Sequence, residues 1–209
     1  MSSYRDGVQA MLEGDRRFAG LYAVAVAGPV RAVFARDDGA IDVETVEVAD
    51  GAVPSIVDLV PAAGWDEREA HDLYGIGFDG HEPLRPLVRH DLDLASWTVG
   101  VHGPDAYQVA VGPIHAGVIE SGHFRFHLVG EKILHVDARL FYKHRGLERA
   151  AEGAELHDGI RYVARECAAC AVTNSVAYAQ AAEQLLGYRA GTELARARTV
   201  LLELERVWS

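Results

Sequence analysis

The sequence has few cysteines, no excess of basic residues and no long apolar run, and each shortage excludes a class of protein. Only 2 of its 209 residues are cysteine, too few for a disulfide-stabilised secreted scaffold. A formal net charge of -11 repels phosphate, so no nucleic-acid partner is expected. Apolar runs such as Leu21 to Ala27 are far shorter than the roughly 20 residues that span a bilayer, so we expect no direct membrane insertion. The N-terminus lacks the apolar core of a signal peptide, which favours a cytoplasmic protein.

What remains is typical of a globular protein, with 49% hydrophobic and 24% charged residues. The patterns predict an α+β fold class, with an N-terminal antiparallel sheet with helices followed by a β-hairpin region that leads into two long helices. The elements predicted for the N-terminal part are an amphipathic helix over residues 4–14, a buried strand over Leu21 to Ala27, a hairpin of Arg31 to Arg36 and Ile41 to Val48 around the tight primed turn Asp38-Gly39, and helices over Pro54 to Leu59 and Trp65 to Tyr74.

A second hairpin is predicted from His123 to Val129 and Lys132 to Val136, since apolar and polar residues alternate in the first of these segments. His123 and His127 lie on one face of that strand, and their spacing permits metal binding, but solvent-facing or partner-facing histidines are the favoured interpretation. Beyond it, Val163 to Leu186 predicts a largely buried helix that ends at Gly187. The last helix carries one apolar side, made of Leu194, Ala197, Leu201 and Leu204.

One group of motifs resembles a known family. The motifs E-R-E, D-L-Y-G-I, F-x-G-H and L-R, here Glu67 to Glu69, Asp72 to Ile76, Phe78 to His81 and Leu84-Arg85, resemble the signature of the C subunit of complex I. The resemblance implies that residues 1–91 form an α+β domain of structural role that docks beside redox subunits. It assigns no catalytic residue there. Residues 92–104, which contain two glycines and a proline, are expected to form a linker.

A second resemblance covers residues 105–209. Val111 to Gly153 resembles the N-terminal part of the complex I D subunit and, more closely, the large subunit of energy-converting nickel-iron hydrogenases. The order of the two halves is typical of the formate hydrogenlyase type, and we expect the second domain to be truncated. In the D subunit, two histidines four residues apart line the quinone pocket. His115 matches the first and is the candidate cofactor-binding residue, whereas Ile119 occupies the second position, which favours the hydrogenase-like branch.

The two cysteines, Cys167 and Cys170, lie close together at the expected start of a helix and permit several chemistries. Their thiolates can bind a soft metal or form a disulfide. An independent thioredoxin-like redox pair is disfavoured because the surrounding βαβ pattern is missing, and structural zinc requires a second pair of ligands. Two buried cysteines packing as small hydrophobic residues remain an alternative.

The hydrogenase resemblance gives these cysteines a specific role. In that family the motif is R-x-C-G-x-C-x-x-x-H; Arg165, Cys167 and Cys170 match it, while Ala168 and Asn174 depart from it. The resemblance implies that Cys167 is a terminal nickel ligand, that Cys170 bridges nickel and iron, and that Arg165 is a catalytic residue that positions small anionic ligands. The family's other two cysteines come from a C-terminal C-x-x-C that this sequence lacks. A nickel-iron centre is therefore possible only with the missing C-terminal ligands, and no cofactor is expected in this chain alone.

Together these resemblances predict a peripheral-arm subunit of an oxidoreductase. The complex would be a membrane-associated NADH dehydrogenase (complex I)-like or energy-converting hydrogenase-like enzyme, in which electron transfer is coupled to ion translocation. The alternative is a non-catalytic docking subunit whose metal site has been lost. The expected partners are an iron-sulfur protein resembling the complex I B subunit, which holds the iron-sulfur clusters, and other subunits of a membrane-bound complex. They would hold the chain on the inner face of the cell membrane. By itself the chain is expected to be inactive.

Overall fold

The computed structural model describes residues 4–89, 100–115 and 121–209. The chain divides into two compact units, Met1–His144 and Arg145–Ser209. This division does not follow the predicted linker at 92–104, of which residues 92–99 lie outside the described residues. The assignment of domains to residues 1–91 and 105–209 therefore stays a prediction.

The first unit begins with a helix and a three-stranded antiparallel sheet. Helix α1 covers Tyr4–Glu13, and the sheet contains β1 (Arg17–Ala23), β2 (Val30–Ala35) and β3 (Ile41–Val46) in the order β1-β2-β3. Val8 of α1 is fully buried, and Met11 and Leu12 pack against the core, as the amphipathic pattern predicts. The middle strand supplies Phe34, which is also fully buried.

The predicted strand over Leu21 to Ala27 is wrong in its position. Strand β1 ends at Ala23, and Val24 and Val26 are 46% and 74% exposed in the turn that follows. The chain turns here because Ala27 adopts a positive φ of 56° and Gly28 N–H donates to the carbonyl of Ala25. A run of apolar residues cannot by itself locate a strand boundary, whereas the alternating burial of β1 begins earlier, at Arg17.

The first hairpin is confirmed, but its turn is wider than predicted. Residues 36–40 connect β2 to β3, and within the pair Asp38-Gly39 only Gly39 has a positive φ, of 83°. The Asp38 carboxylate accepts a hydrogen bond from Ala40 N–H, which closes the loop without a two-residue primed turn.

The signature begins on a helix that lies in sequence between two short parallel strands, and it continues through the second strand into the loop that follows. Strand β4 (Ala52–Pro54) pairs with β5 (Gly77–Asp79), and helix α2 (Ala63–Tyr74) connects them. The helix predicted over Pro54 to Leu59 is wrong, because this segment leaves β4 and makes a single turn in which Val60 N–H donates to the carbonyl of Ile56. Helix α2 confirms the other predicted helix and ends at Gly75, whose φ is 71°.

The second hairpin forms part of another antiparallel sheet. Strands β6 (Ala106–Val111), β7 (His123–Val129) and β8 (Lys132–Arg139) lie in the order β6-β7-β8. The hairpin β7-β8 is confirmed, whereas β6 was missed. Strand β6 leaves Tyr107 and Val109 exposed at 47% and 42%, so its pattern gives little sign of a buried face.

The second unit is entirely helical and consists of α3 (Leu147–Ala151), α4 (Ile160–Val163), α5 (Ala171–Leu185) and α6 (Thr192–Trp208). The two long helices are confirmed. The continuous buried helix predicted from Val163 to Leu186 is wrong, since the chain is not helical between α4 and α5 and no apolar side chain of this fully described unit is buried. The alanine-rich composition of this segment predicted correctly that it is largely helical and incorrectly that the helix is buried.

These elements confirm the α+β fold class. The main core lies in the first unit, between α1, the first sheet and α2, and its fully buried members include Val30, Val53 and Ile56. Within the part of the chain that the structure describes, none of the helices combines the length and apolar character needed to cross a bilayer.

Candidate functional site

A buried carboxylate organises the signature region. The Glu67 side chain on α2 has no exposed surface. It accepts three hydrogen bonds of 2.8 Å, from the Ser55 hydroxyl, from Ile56 N–H and from Nδ1 of His81. The helix is thereby tied to the segment that follows β4 and to the loop that follows β5. Because a buried charge is stable only when its hydrogen bonds are satisfied, Glu67 acts as a structural anchor.

Two neighbours of Glu67 on the same helix anchor the loop over residues 84–89. Arg68 donates from Nε to the carbonyl of Arg85 at 2.7 Å and from Nη2 to the carbonyl of Pro86 at 2.8 Å. One oxygen of Asp72 accepts from the backbone N–H groups of residues 87, 88 and 89, at 2.7, 2.7 and 3.1 Å. The polar signature residues Arg68 and Asp72 therefore fix the backbone conformation of the loop over residues 84–89.

A pocket of about 300 Å³ lies beside this anchor. It is lined by Val57, Pro61, Gly64, Trp65, Arg68, His81, Pro83 and Arg85. The Arg68 guanidinium carbon lies 5.3 Å from the Trp65 ring centroid, and the indole is 42% exposed. Burial lowers the pKa of Arg68, an effect that Asp72 opposes and Arg85 reinforces. The pocket thus combines an aromatic wall with two guanidinium groups and an imidazole.

A second buried polar group occurs on strands β7 and β8. The Asp137 carboxylate lies 2.9 Å from Nε2 of His127 and 3.0 Å from Nε2 of His135. His127 is 1% exposed, so the favoured interpretation of a solvent-facing or partner-facing histidine is wrong for this residue. The alternation of the strand pointed to its apolar residues as the buried set. The acid that makes burial of His127 possible is on the partner strand, where single-strand periodicity cannot detect it.

The two cysteines lie at the junction before α5. Cys170 is the N-cap residue of α5, and Cys167 lies in the turn before it, so neither occupies the first turn of a helix. Their sulfurs are joined as a disulfide, with Cα atoms 5.2 Å apart. Arg165 is exposed and donates to the carbonyl of Arg161. This geometry realises one of the chemistries that the spacing permits and leaves the metal-ligand assignment of Cys167 and Cys170 a prediction.

Helix α6 holds the start of α5 in place next to the cysteine pair. The Glu205 carboxylate accepts from Val172 N–H at 2.6 Å and from Thr173 N–H at 2.9 Å, which satisfies backbone donors that are otherwise unpaired at a helix start. The Thr173 hydroxyl also donates to this carboxylate, and this side-chain hydrogen bond is the main cause that lowers the pKa of Glu205. Farther along, Arg198 forms a bidentate ion pair with Glu183. Polar contacts therefore fix the two long helices against each other.

His115, the candidate cofactor-binding residue, belongs to the first unit and is exposed shortly after β6. The position used to compare it with the quinone-binding family, Ile119, lies outside the described residues. The role of His115 stays a prediction, as does that of Arg165.

The implied nickel-iron centre requires more thiolate donors than this chain supplies. Cys167 and Cys170 supply two sulfurs, which are paired with each other, whereas the implied centre needs four thiolates. Among the described residues, no three side chains of the His, Cys, Asp or Glu type are arranged to hold a metal ion. The residues of this chain do not by themselves fit the metal centre, and we assign no chemical step to it.

The N-terminal part of the chain, which contains the signature loop, matches a known family model. Residues 7–97 match the family described as Respiratory-chain NADH dehydrogenase, 30 Kd subunit. This match confirms the resemblance inferred from the motifs on and after α2.

The similarity extends beyond residues 7–97 to subunits of hydrogenases and of NADH-quinone oxidoreductase. The chain is 35% identical to Hydrogenase-4 component G of Escherichia coli (strain K12) over 181 residues, which covers 75% of this chain and 33% of that protein. It is 32% identical to Formate hydrogenlyase subunit 5 of the same strain, with 75% and 32% covered. It is 30% identical to the C/D 2 subunit of NADH-quinone oxidoreductase of Aquifex aeolicus (strain VF5), with 76% and 36% covered. The chain thus spans about a third of the length of these relatives, and the predicted resemblance to both types of complex is confirmed.

Proposed function

We propose that the chain is part of a peripheral-arm subunit of a complex I-like or energy-converting hydrogenase-like oxidoreductase. The observation that carries the proposal is the match of residues 7–97 to the 30 Kd subunit family. The chain is also similar, over 75–76% of its length, to a hydrogenase subunit and to a C/D subunit of NADH-quinone oxidoreductase. In this role the chain takes part in a complex that couples electron transfer to ion translocation.

The role proposed for the N-terminal part is docking. Two acidic residues of its signature are engaged within the fold: Glu67 accepts from three groups, and one oxygen of Asp72 accepts from three backbone N–H groups. Groups held in this way support a rigid surface, whereas a catalytic acid or base needs access to a substrate.

The helical unit has the surface expected of a polypeptide that packs against another. On α6, Val200, Leu204 and Val207 are 58%, 61% and 83% exposed, and the unit has no buried apolar core. Exposed apolar faces of this extent favour a protein interface. We propose that an iron-sulfur protein resembling the complex I B subunit and other subunits of a membrane-bound complex are the partners, and that they hold the chain at the inner face of the membrane.

The experiment is purification of the complex from the source organism through an affinity tag on the polypeptide that contains these residues. We expect a membrane-derived assembly that migrates as a large complex on a native gel, contains an iron-sulfur protein and gives cluster signals in electron paramagnetic resonance. Recovery of the tagged polypeptide alone, from a preparation in which a known membrane complex stays intact, would contradict the proposal.

Within this proposal, Cys167 and Cys170 in their reduced form are candidates for two of the ligands of a nickel-iron centre completed by residues outside this chain. The non-catalytic alternative is favoured by the pairing of the two sulfurs and by the departures Ala168 and Asn174. Infrared bands of iron-bound carbonyl and cyanide, together with nickel content, separate the two. Absence of both from an active, intact complex would exclude the hydrogenase-like centre and leave the docking role.

A further inference from the structure

The pocket beside α2 carries two guanidinium groups that form no direct ion pair within the described part of the protein. The hydrogen bonds of Arg68 go to neutral backbone carbonyls, and no ion pair joins Arg68 or Arg85 to a carboxylate among the described residues. The nearby Asp72 is already engaged by three backbone N–H groups through one oxygen. A partly buried guanidinium that forms no direct ion pair favours the binding of an anion.

A largely buried histidine faces the same space. The His81 side chain is 9% exposed, and its Nδ1 is held at 2.8 Å by the Glu67 carboxylate, which orients the ring. No hydrogen bond joins Nε2 of His81 to any described residue, and the ring lines the pocket. When both ring nitrogens carry a proton, Nδ1–H donates to Glu67 and Nε2–H is presented to an acceptor on a ligand in a defined direction.

We propose that this pocket binds a carboxylate, and that the carboxylate is an acidic side chain of a partner protein. The guanidinium of Arg85, the remaining donors of Arg68 and Nε2 of His81 surround the position of the carboxylate. The two proline rings and the indole that also line the pocket match the methylene groups of a glutamate or aspartate side chain.

The shape of the pocket favours a protein side chain over a free small molecule. Sites for small ligands enclose most of the ligand surface. Here Trp65 is 42% exposed and Pro83 is exposed at the rim, so a free carboxylate would stay largely in water. Exposed tryptophan next to arginine is the composition that dominates binding energy at protein interfaces. Only the identity of the partner rests on the proposed function.

The test uses the 15N-labelled 209-residue chain and the indole N–H signal of Trp65, assigned with Trp65→Phe. The probes are acetyl-Gly-Glu-Glu-Gly-amide, its counterpart with glutamine in place of glutamate, and glutarate. We expect the glutamate peptide to shift the signal in a saturable way, the glutamine peptide to leave it unchanged, and glutarate to bind more weakly than the glutamate peptide.

Two variants test the geometry. Arg85→Gln removes a guanidinium that forms no ion pair with a described residue, and we expect at least a tenfold loss of peptide affinity, about 1.4 kcal/mol. Arg17→Gln, the same charge change at an exposed position of β1, is the control and leaves affinity unchanged. Gly64→Ala adds a methyl group 3.6 Å from Val57 and 3.8 Å from His81, which fits without displacement, narrows the pocket and weakens binding.

An equal response to both peptides, or an unchanged affinity in Arg85→Gln, would overturn the carboxylate site. Glutarate binding at least as tightly as the peptide would overturn the assignment to a partner's side chain. A negative peptide result alongside successful recovery of the complex refutes this inference alone, so its failure is distinguishable from failure of the proposed function.

Discussion

Replacing Glu67 by alanine tests whether the signature carboxylate is an anchor of the fold. The change leaves the Ser55 hydroxyl, Ile56 N–H and the His81 ring nitrogen without their acceptor in a buried space. Removing one partner of a buried, charged hydrogen-bond network costs about 3–5 kcal/mol. We therefore expect a loss of about 4 kcal/mol, a large part of the roughly 5–15 kcal/mol by which domains are stable.

Replacing Glu67 by glutamine separates charge from shape. The amide oxygen still accepts from Ile56 N–H, and the amide N–H₂ can donate to the Ser55 oxygen and to Nδ1 of the other His81 tautomer. Since most of the bonds can be rebuilt, we expect a loss of about 1–2 kcal/mol.

The assay is urea unfolding followed by the fluorescence of Trp65 on α2, in a chain whose Trp97 and Trp208 are replaced by phenylalanine. With a urea dependence of about 2 kcal/mol per molar, the alanine variant lowers the midpoint by about 2 M. Glu47→Ala, at an exposed position after β3, is the matched control and stays within about 0.5 kcal/mol of the parent. An alanine variant within about 1 kcal/mol of the parent would refute the anchor role.

Three further predictions concern other groups. Burial raises the pKa of Asp66, so its charged form is disfavoured in the folded state. The variant Asp66→Asn should therefore be more stable than the parent in urea unfolding at about pH 7. This gain in stability should vanish below the unfolded-state pKa of aspartate, where the carboxyl is neutral in both states. His127→Ala should lower the free energy of unfolding by about 2–3 kcal/mol and His135→Ala by less than about 1 kcal/mol, because the side chain of His127 is 2% exposed and that of His135 is 33% exposed. Hydrogen exchange of the β7 and β8 amides measures both losses. Equal losses would contradict the burial argument. Iodoacetamide should label neither cysteine of the natively purified chain before reduction and both after it; labelling without reductant would contradict the pairing.

Local sequence patterns predicted correctly those helices whose formation depends on residues within the helix or directly after it. Helix α1 followed from the spacing of Val8, Met11 and Leu12, and the end of α2 followed from Gly75. Strand β1 was misplaced because its bounds depend on pairing with β2, from Arg17 opposite Ala35 to Ala23 opposite Val30. Pairing across strands is a tertiary property that apolar runs do not reveal.

The site was predictable as a motif and not as a geometry. The motif located Glu67, Asp72 and His81 but could not tell that two of them join through a buried hydrogen bond, since they are separated by a strand and a turn. The exposure of α5 and α6 was missed for a related reason. An apolar helix face indicates that the face is buried against other residues. It does not indicate whether those residues belong to the same chain or to a partner.

The contact between Asp72 and residues 87, 88 and 89 sets how widely this turn can vary. All three donors are backbone N–H groups, so these hydrogen bonds do not depend on which side chains residues 87, 88 and 89 carry. Leu87 is held by its own burial, at 2% exposure, but the side chains at positions 88 and 89 can change without loss of the anchoring bonds. Proline is the exception, because it has no N–H to donate. The loop can therefore diverge in surface chemistry from one complex to another while its backbone stays the same.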